Sequence, residues 1–226
     1  MKNIHYILLF FCSTFAFAQN IFLTEVKATH NNTDKFLYQI SNEPTSENQY
    51  LGKIEISGYS EKDEEVFAEV YKKAKSVGGN TFIIKSPEQV DGTQVFNPAH
   101  YYIYVYYTEA DKIAKEQNLI YIINPNKEVQ LRINNTKQKL LPRTYIKYDI
   151  SKTEITDISV GTILGSRIKF QPKEGQPEQY FQLSGKKVKA NPEDNPGINF
   201  KTGDIIKLEK SYAQFLINIY QRVEVK

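Results

Sequence analysis

Apolar residues recur along this chain with two periods, and the change from one to the other marks its parts. Leu51-Gly52-Lys53-Ile54-Glu55-Ile56-Ser57 alternates apolar and polar, the signature of a half-buried strand. Past Gly58 and Tyr59 the spacing lengthens. Val66, Phe67, Val70, Tyr71, Ala74 and Val77 then fall on one face of a helix. Ser60 is the natural N-cap, with Asp63 close to a capping box. Glu61, Asp63, Glu64 and Glu65 crowd the first turn and Lys72, Lys73 and Lys75 the last, where each sign suits the helix dipole. Gly78-Gly79 supplies a left-handed stop. The pattern predicts a helix over 61–77 that buries Phe67, Val70 and Ala74 against a sheet.

Strands are predicted at 21–26, 36–40 and 51–57 before this helix. A polar loop from Ser41 to Gln49 separates the second and third. After the helix, 80–90 reads as a strand ending near Pro87, Asp91-Gly92 as a hairpin turn, and Tyr101–Tyr107 as an emphatic aromatic strand. Residues 19–110 thus form a strand–helix–strand–strand module. Glu109–Gln117 reads as a linking helix at a module boundary.

From 119 to 226 short strands dominate, at 119–123, 129–133, 144–150, 155–160, 167–170, 179–183 and 205–208. Turn residues such as Asn124-Pro125-Asn126, Asn134-Asn135 and Asn195-Pro196-Gly197 punctuate them. That spacing predicts a small antiparallel β-sandwich. Near the C-terminus, Tyr212, Phe215, Leu216, Ile219, Tyr220 and Val223 form a helical stripe, with Ser211 and Gln214 as a capping box. Phe215, Ile217 and Ile219 also alternate, as a strand would. The stripe favours a helix ending near Arg222. The fold class is α+β.

The first eighteen residues follow neither pattern. Lys2, the apolar run Ile7–Phe11 and the small-x-small Ala16-Phe17-Ala18 form a secretory signal, too short to anchor in a membrane. Cleavage after Ala18 gives an exported product, periplasmic or extracellular, that begins at Gln19. Leu9-Phe10-Phe11-Cys12 has the outline of a lipoprotein box, but two Phe stand where small residues belong. Removing the signal takes away the single Cys, so the exported chain has no disulfide and is held by its core. No later stretch is long enough to span a bilayer as a helix.

Charge and chemistry narrow the function. The formal net charge is +3, and removal of Lys2 leaves it nearly balanced. No basic stripe follows a phosphate backbone, and Lys186-Lys187 with Lys189 reads as a solvated hairpin tip, so no nucleic-acid partner is expected. With no cysteine and only His30 and His100 left, neither a Cys or Ser nucleophile with its base nor a zinc site is expected, and no cofactor is implied. Gly161–Ser166 lacks the lysine of a phosphate loop. Paired carboxylates, distant in sequence, stay open. The candidate binding residues are Tyr102, Tyr104 and Tyr106, which strand alternation puts on one face. Tyrosines in a row suit sugar stacking or a protein interface, and equally suit packing between the two modules.

Two stretches resemble known families. Tyr50-Leu51-Gly52-Lys53-Ile54, the following helix, and Lys73-Ala74-Lys75-Ser76-Val77-Gly78-Gly79-Asn80 resemble the strand–helix–strand module of the Rcs outer-membrane stress-sensor lipoprotein family, across residues 50–107. That family's structural cysteines are absent, so its redox-linked features do not carry over. Val129-Gln130-Leu131-Arg132-Ile133-Asn134, Leu141-Pro142-Arg143-Thr144-Tyr145 and Tyr180-Phe181-Gln182-Leu183 resemble a lipoprotein-associated β-sandwich family of unknown function, across 128–220. Neither resemblance brings catalytic residues. The reading is an exported, non-catalytic envelope or surface protein that binds a protein or glycan partner or serves as a structural module. The alternative is a secreted hydrolase of envelope polymers using carboxylates. A third reading, a small-ligand carrier that uses the sandwich interior, has no support in the sequence.

Overall fold

The computed structural model describes residues 19–40, 43–87, 96–161, 165–184, 187–190, 198–201 and 203–225. The expectations for the signal segment, Asp91-Gly92, Asn195-Pro196-Gly197 and Lys186 lie outside the described residues. The fold is α+β, with a sandwich-like arrangement of sheets.

Strands β1 (Asn20–Val26), β2 (Tyr38–Gln39), β3 (Asn48–Ser57), β4 (Thr81–Lys85) and β5 (His100–Thr108) form the first sheet, in the order β1-β3-β5-β4-β2. Only the β4/β2 pair is parallel. Helix α1 (Asp63–Ser76) crosses from β3 to β4, and β5 lies between those two strands. The Gly78-Gly79 stop closes α1 as expected. Gly78 has φ +81°, and its N–H bonds Lys75 O at 3.0 Å while that of Gly79 bonds Ala74 O at 2.9 Å. A Cβ on Gly78 would lie 1.7 Å from His30 O.

The second half contributes β6 (Leu119–Asn124), β7 (Val129–Ile133), β8 (Thr136–Leu140), β9 (Thr144–Asp149), β10 (Thr156–Val160), β11 (Arg167–Phe170) and β12 (Gln179–Ser184). Then follow β13 (Lys187–Ala190), β14 (Ile198–Lys201), β15 (Asp204–Lys207), helix α2 (Lys210–Ile219) and β16 (Gln221–Arg222). The second sheet runs β11-β10-β7-β8 and the third β15-β12-β6-β9-β16, while β13 and β14 form a separate ribbon. The sandwich is therefore mixed rather than antiparallel throughout, since β6/β12 and β9/β16 pair in parallel. Strand β8, not among the strands expected from the sequence, is the return of a hairpin. Its two turn residues, Asn134 and Asn135, have φ +47° and +69°, the left-handed pair that suits a tight hairpin.

The layers stack as second sheet, third sheet, helices, first sheet. Ile120, Ile122, Ile146 and Leu183 of the third sheet meet Leu131 and Ile158 of the second in one apolar cluster. Tyr121, Ile123 and Tyr180, on the opposite face of the third sheet, join a second cluster with Phe215 and Leu216 of α2 and with the apolar face of α1 and the first sheet. Helix α2 touches α1, β2, β6 and β12. It belongs to the second half of the chain but completes the helix layer over the first sheet.

Three local expectations are corrected. First, α1 starts at Asp63, and Lys62 holds the cap position without a side-chain bond. Ser60 Oγ accepts from Lys62 N at 3.0 Å in a turn before the helix. Phe67 does not face the sheet. Val66, Val70 and Ala74 are the buried apolar residues of α1, and the Phe67 ring lies 5.4 Å from Tyr212 and 5.5 Å from Phe215 of α2. Second, residues 109–117 form no helix. One turn closes from Lys112 N to Glu109 O at 2.9 Å, and the chain then reaches an isolated bridge between Gln117 and Pro177. Ile113 is its only buried apolar residue, and so short a segment without an apolar face does not hold a helix. Third, α2 stops at Ile219 and Glu209 caps it, accepting from Tyr212 N at 3.0 Å, so the Ser211–Gln214 box does not form. Ser211 Oγ instead accepts from Leu37 N at 3.1 Å and donates to Glu209 at 2.9 Å.

A buried ionic contact ties the halves together. Asp63 is 7% exposed, and its Oδ2 accepts from Arg143 Nη1 at 2.7 Å and from Tyr220 Oη at 2.6 Å. The guanidinium lies 4.7 Å from the Tyr220 ring centre and 5.6 Å from that of Tyr59. Lys75 Nζ donates to the carbonyls of Phe36 and Gly79, the latter at 2.8 Å, and its partial burial lowers its pKa from 10.5 to about 8.

Asp63→Ala leaves the half-buried Arg143 guanidinium and the Tyr220 hydroxyl without their partner and is expected to cost about 2–3 kcal/mol in urea unfolding. A second change, Arg143→Leu, recovers a large part of that loss. Equal loss in the single and double variants would show that the ion pair is not what stabilises the junction. Lys75 gives a pH signature. Between about pH 8 and 10.5 the folded state releases this proton while the unfolded chain retains it, so this group makes stability rise with pH. Below that window the cost of burying the charge is constant. Buried tyrosines such as Tyr101, whose hydroxyls are held well above their ordinary pKa by burial, oppose the trend above about pH 10. Melting temperatures of the wild type relative to Lys75→Met are therefore expected to rise from pH 8 to pH 10.

Candidate functional site

The candidate site is the outer face of the first sheet, opposite the helices. Alternation along β5 sends Tyr101, Ile103 and Val105 into the core and Tyr102 and Tyr104 outward. The register with the neighbouring strands fixes the rest of the face. One cross-strand row reads Phe22, Glu55, Tyr102, Lys85, and the next reads Glu25, Lys53, Tyr104, Ile83. A third row pairs Tyr50 with Tyr106 and Thr81. Residues directly opposite one another share a face, so Phe22, which is 56% exposed, belongs to the same surface as the tyrosines.

The three predicted residues do share this face, but unequally. Tyr102 and Tyr104 are half-buried, whereas Tyr106 is only 6% exposed and offers little contact area. Burial also raises the Tyr106 hydroxyl above its ordinary pKa, as expected of a ring that is part of the packing. Tyr50, which the sequence analysis named only in the motif Tyr50-Leu51-Gly52-Lys53-Ile54, joins the cluster. Its ring centre lies 6.1 Å from that of Tyr104 and 5.5 Å from that of Tyr106, and its hydroxyl donates to Glu25 Oε2 at 3.1 Å. A bulge in β3 between Tyr50 and Gly52 sets this position, and alternation alone does not reveal it.

Polar groups frame the rings. Lys53 Nζ lies 5.0 Å from the Tyr102 ring centre and Lys85 Nζ 5.7 Å from that of Tyr104. No described carboxylate forms an ion pair with either ammonium. His100 Nε2 lies 2.9 Å from Glu55 Oε1, and its ring meets Tyr102 edge-on at 5.4 Å. The surface offers flat apolar area, phenolic tips and two cations.

The packing between the halves uses other tyrosines. Tyr101, Tyr121, Tyr180 and Tyr220 lie in the core shared by the two halves, and Tyr102, Tyr104 and Tyr106 are not part of it.

A second feature is acidic. A cleft of about 530 Å³ between the start of α1 and the start of α2 is lined by Glu61, Asp63, Glu64, Glu65 and Glu209 together with Tyr212. Asp63 is held by Arg143 and Tyr220, Glu209 caps α2, and Glu65 pairs with Lys62 at 3.0 Å. Among the described residues no group of three His, Asp or Glu is placed to hold a metal ion, and no helix is long and apolar enough to cross a membrane. No protein-family model, no curated protein and no solved structure matches the chain.

The unequal burial predicts unequal costs. Tyr106→Ala removes a packed ring and is expected to cost about 3 kcal/mol or more in denaturant unfolding. Tyr102→Ala and Tyr104→Ala remove half-exposed rings with cross-strand contacts worth about 0.2–1 kcal/mol each, so each is expected to stay near 1 kcal/mol. Similar losses at all three positions would show that the whole row is packing.

Proposed function

We propose that this is an exported, non-catalytic envelope or surface protein that binds a protein or glycan partner on the outer face of its first sheet. One observation carries the reading. An aromatic surface of Phe22, Tyr50, Tyr102 and Tyr104 stands on a rigid strand scaffold, on the side away from both helices and the second half. Rigid rings provide contact area at low entropic cost, and lysines beside them provide donors for hydroxyls or carboxylates of a partner. Tyr106 packs on the same face beside Tyr50 and, being buried, adds little contact area.

Export enters the proposal through Lys2, the apolar run Ile7–Phe11 and Ala16-Phe17-Ala18, with cleavage after Ala18. The resemblances of residues 50–107 and 128–220 to lipoprotein-associated modules favour the same compartment. The hydrolase alternative requires two free carboxylates that face each other across a cleft. In the acidic cleft Asp63 and Glu209 already serve the junction and the α2 cap, which lends that alternative no support.

The test is retention from the native envelope. Immobilised protein beginning at Gln19 is expected to retain a specific protein or glycan. The double variant Tyr102→Ala, Tyr104→Ala is expected to lose that partner while its melting temperature falls by only a few degrees. Undiminished retention by the double variant would remove the binding role from this face. Intact-mass measurement on protein from the native host checks export. A species beginning at Gln19 is expected, and a lipid-modified one beginning at Cys12 would refute the cleaved, unlipidated product.

A further inference from the structure

The sandwich of the second half is closed at one end and open at the other. β11 and β15 are each an edge strand of their sheet, and residues of both line one cleft. Where β11 begins, the two sheets are tied, since Ser166 N donates to Gly203 O at 3.2 Å and Ser166 Oγ to Asp204 Oδ1 at 2.6 Å. Further along, no backbone bond joins β11 to β15 among the described residues, and a cleft of about 670 Å³ opens between the sheets.

The lining of this cleft is partly polar on the inner side of the third sheet. Residues opposite one another in a sheet share a face. Lys207 is opposite Phe181, and Gln179 is opposite Ile120, so both polar residues occupy inward positions of the third sheet. They look across at Ile168 and Phe170 of β11, where two apolar layers would ordinarily close on each other. Gln176, in the turn beside the cleft, has a buried Oε1 without a hydrogen-bond partner. Ile155 stands at the rim, 48% exposed. Lys173 stands at the mouth, Lys169 lies opposite Asp157 on the outer side of β11, and among the described residues no carboxylate lines the cleft.

We propose that this cleft binds a small amphipathic carboxylate, an acyl chain with one anionic head. The tail would lie against Ile168, Phe170 and Phe181, and the head would meet Lys207 with Lys173. Charge complementarity selects the head, because Lys173 and Lys207 stand at a cleft that no described carboxylate lines, which favours an anion over a neutral or cationic amphiphile. The apolar walls select a tail over a free inorganic anion. The site is separate from the tyrosine face, and neither proposal depends on the other.

The probe is dodecanoate, titrated below its micelle concentration into the protein beginning at Gln19 and followed by amide chemical shifts. Saturable one-to-one binding is expected, with shifts centred on 168–181 and 205–208. Dodecanol and dodecylamine are expected to bind at least about tenfold more weakly, as is dodecanoate to Lys207→Glu. Lys173→Glu, a change at an exposed turn, is expected to weaken dodecanoate severalfold and covers the case in which Lys207→Glu unfolds the edge strand. Tyr102→Ala is expected to leave the affinity unchanged. Absence of saturable binding, equal affinity for dodecylamine, or shifts centred away from the cleft would each overturn the proposal.

Discussion

The structure depends on one short helix that has to satisfy three surfaces at once. Helix α2 has only ten residues, too few to be stable alone, so its helicity derives from what it touches. Phe215 and Leu216 are fully buried between the first sheet's helix layer and the third sheet, while Tyr212 and Phe215 receive Phe67 of α1. Without α2 the third sheet would expose Tyr121, Ile123 and Tyr180, and the first sheet would lose the partner of α1. The two halves therefore share one apolar cluster, although their strands are segregated along the chain.

Polar groups fix how that shared layer is seated. Apolar packing tolerates sliding, whereas a buried hydrogen bond or ion pair has one good geometry. Gln39 N donates to Gln214 Oε1 at 2.9 Å, Ser211 Oγ accepts from Leu37 N, and Gln214 Nε2 reaches Tyr180 Oη at 3.2 Å, so α2 is bonded to β2 on one side and to β12 on the other. At one end of the layer stands the Asp63–Arg143–Tyr220 contact. Near its other side, Lys210 pairs with buried Glu178 and lies 4.5 Å from the Tyr38 ring centre. These contacts set register more than they add stability, because desolvating each charge offsets much of its attraction.

Much of this was legible in the sequence where local chemistry decides the outcome. The 51–57 alternation, the Gly78-Gly79 stop and the aromatic strand all appear close to their expected positions, because strand period and helix termination are properties of a few neighbouring residues. Partnership was not legible. The face of α1 reads as one stripe, yet Val70 goes to the sheet and Phe67 to another helix, a division that only a third element can make. Asp63 reads as ordinary helix-end electrostatics until Arg143, eighty positions away, is placed beside it. The tyrosine row was visible as a face, because alternation guarantees it. The burial of Tyr106 and the presence of Phe22 and Tyr50 depend on register and on a bulge, which no periodicity reports. The amphipathic cleft was hidden for the same reason. Lys207 ends a strand and stays exposed, and only its pairing with Phe181 places it on the inner side of the sheet, at the rim of the cleft.

The placement of α2 also bears on time. Leu37 and Ser211 bond across a separation of 174 residues, so the layer that unites the two halves is made of distant contacts. Loop closure must be paid for in entropy before such contacts return anything, and chains dominated by them fold slowly. The first sheet can pair its strands early, but its helix side stays greasy and unfinished until residues 204–222 arrive. A chain wired this way cannot bury the helix side of its first sheet until its last helix has been docked.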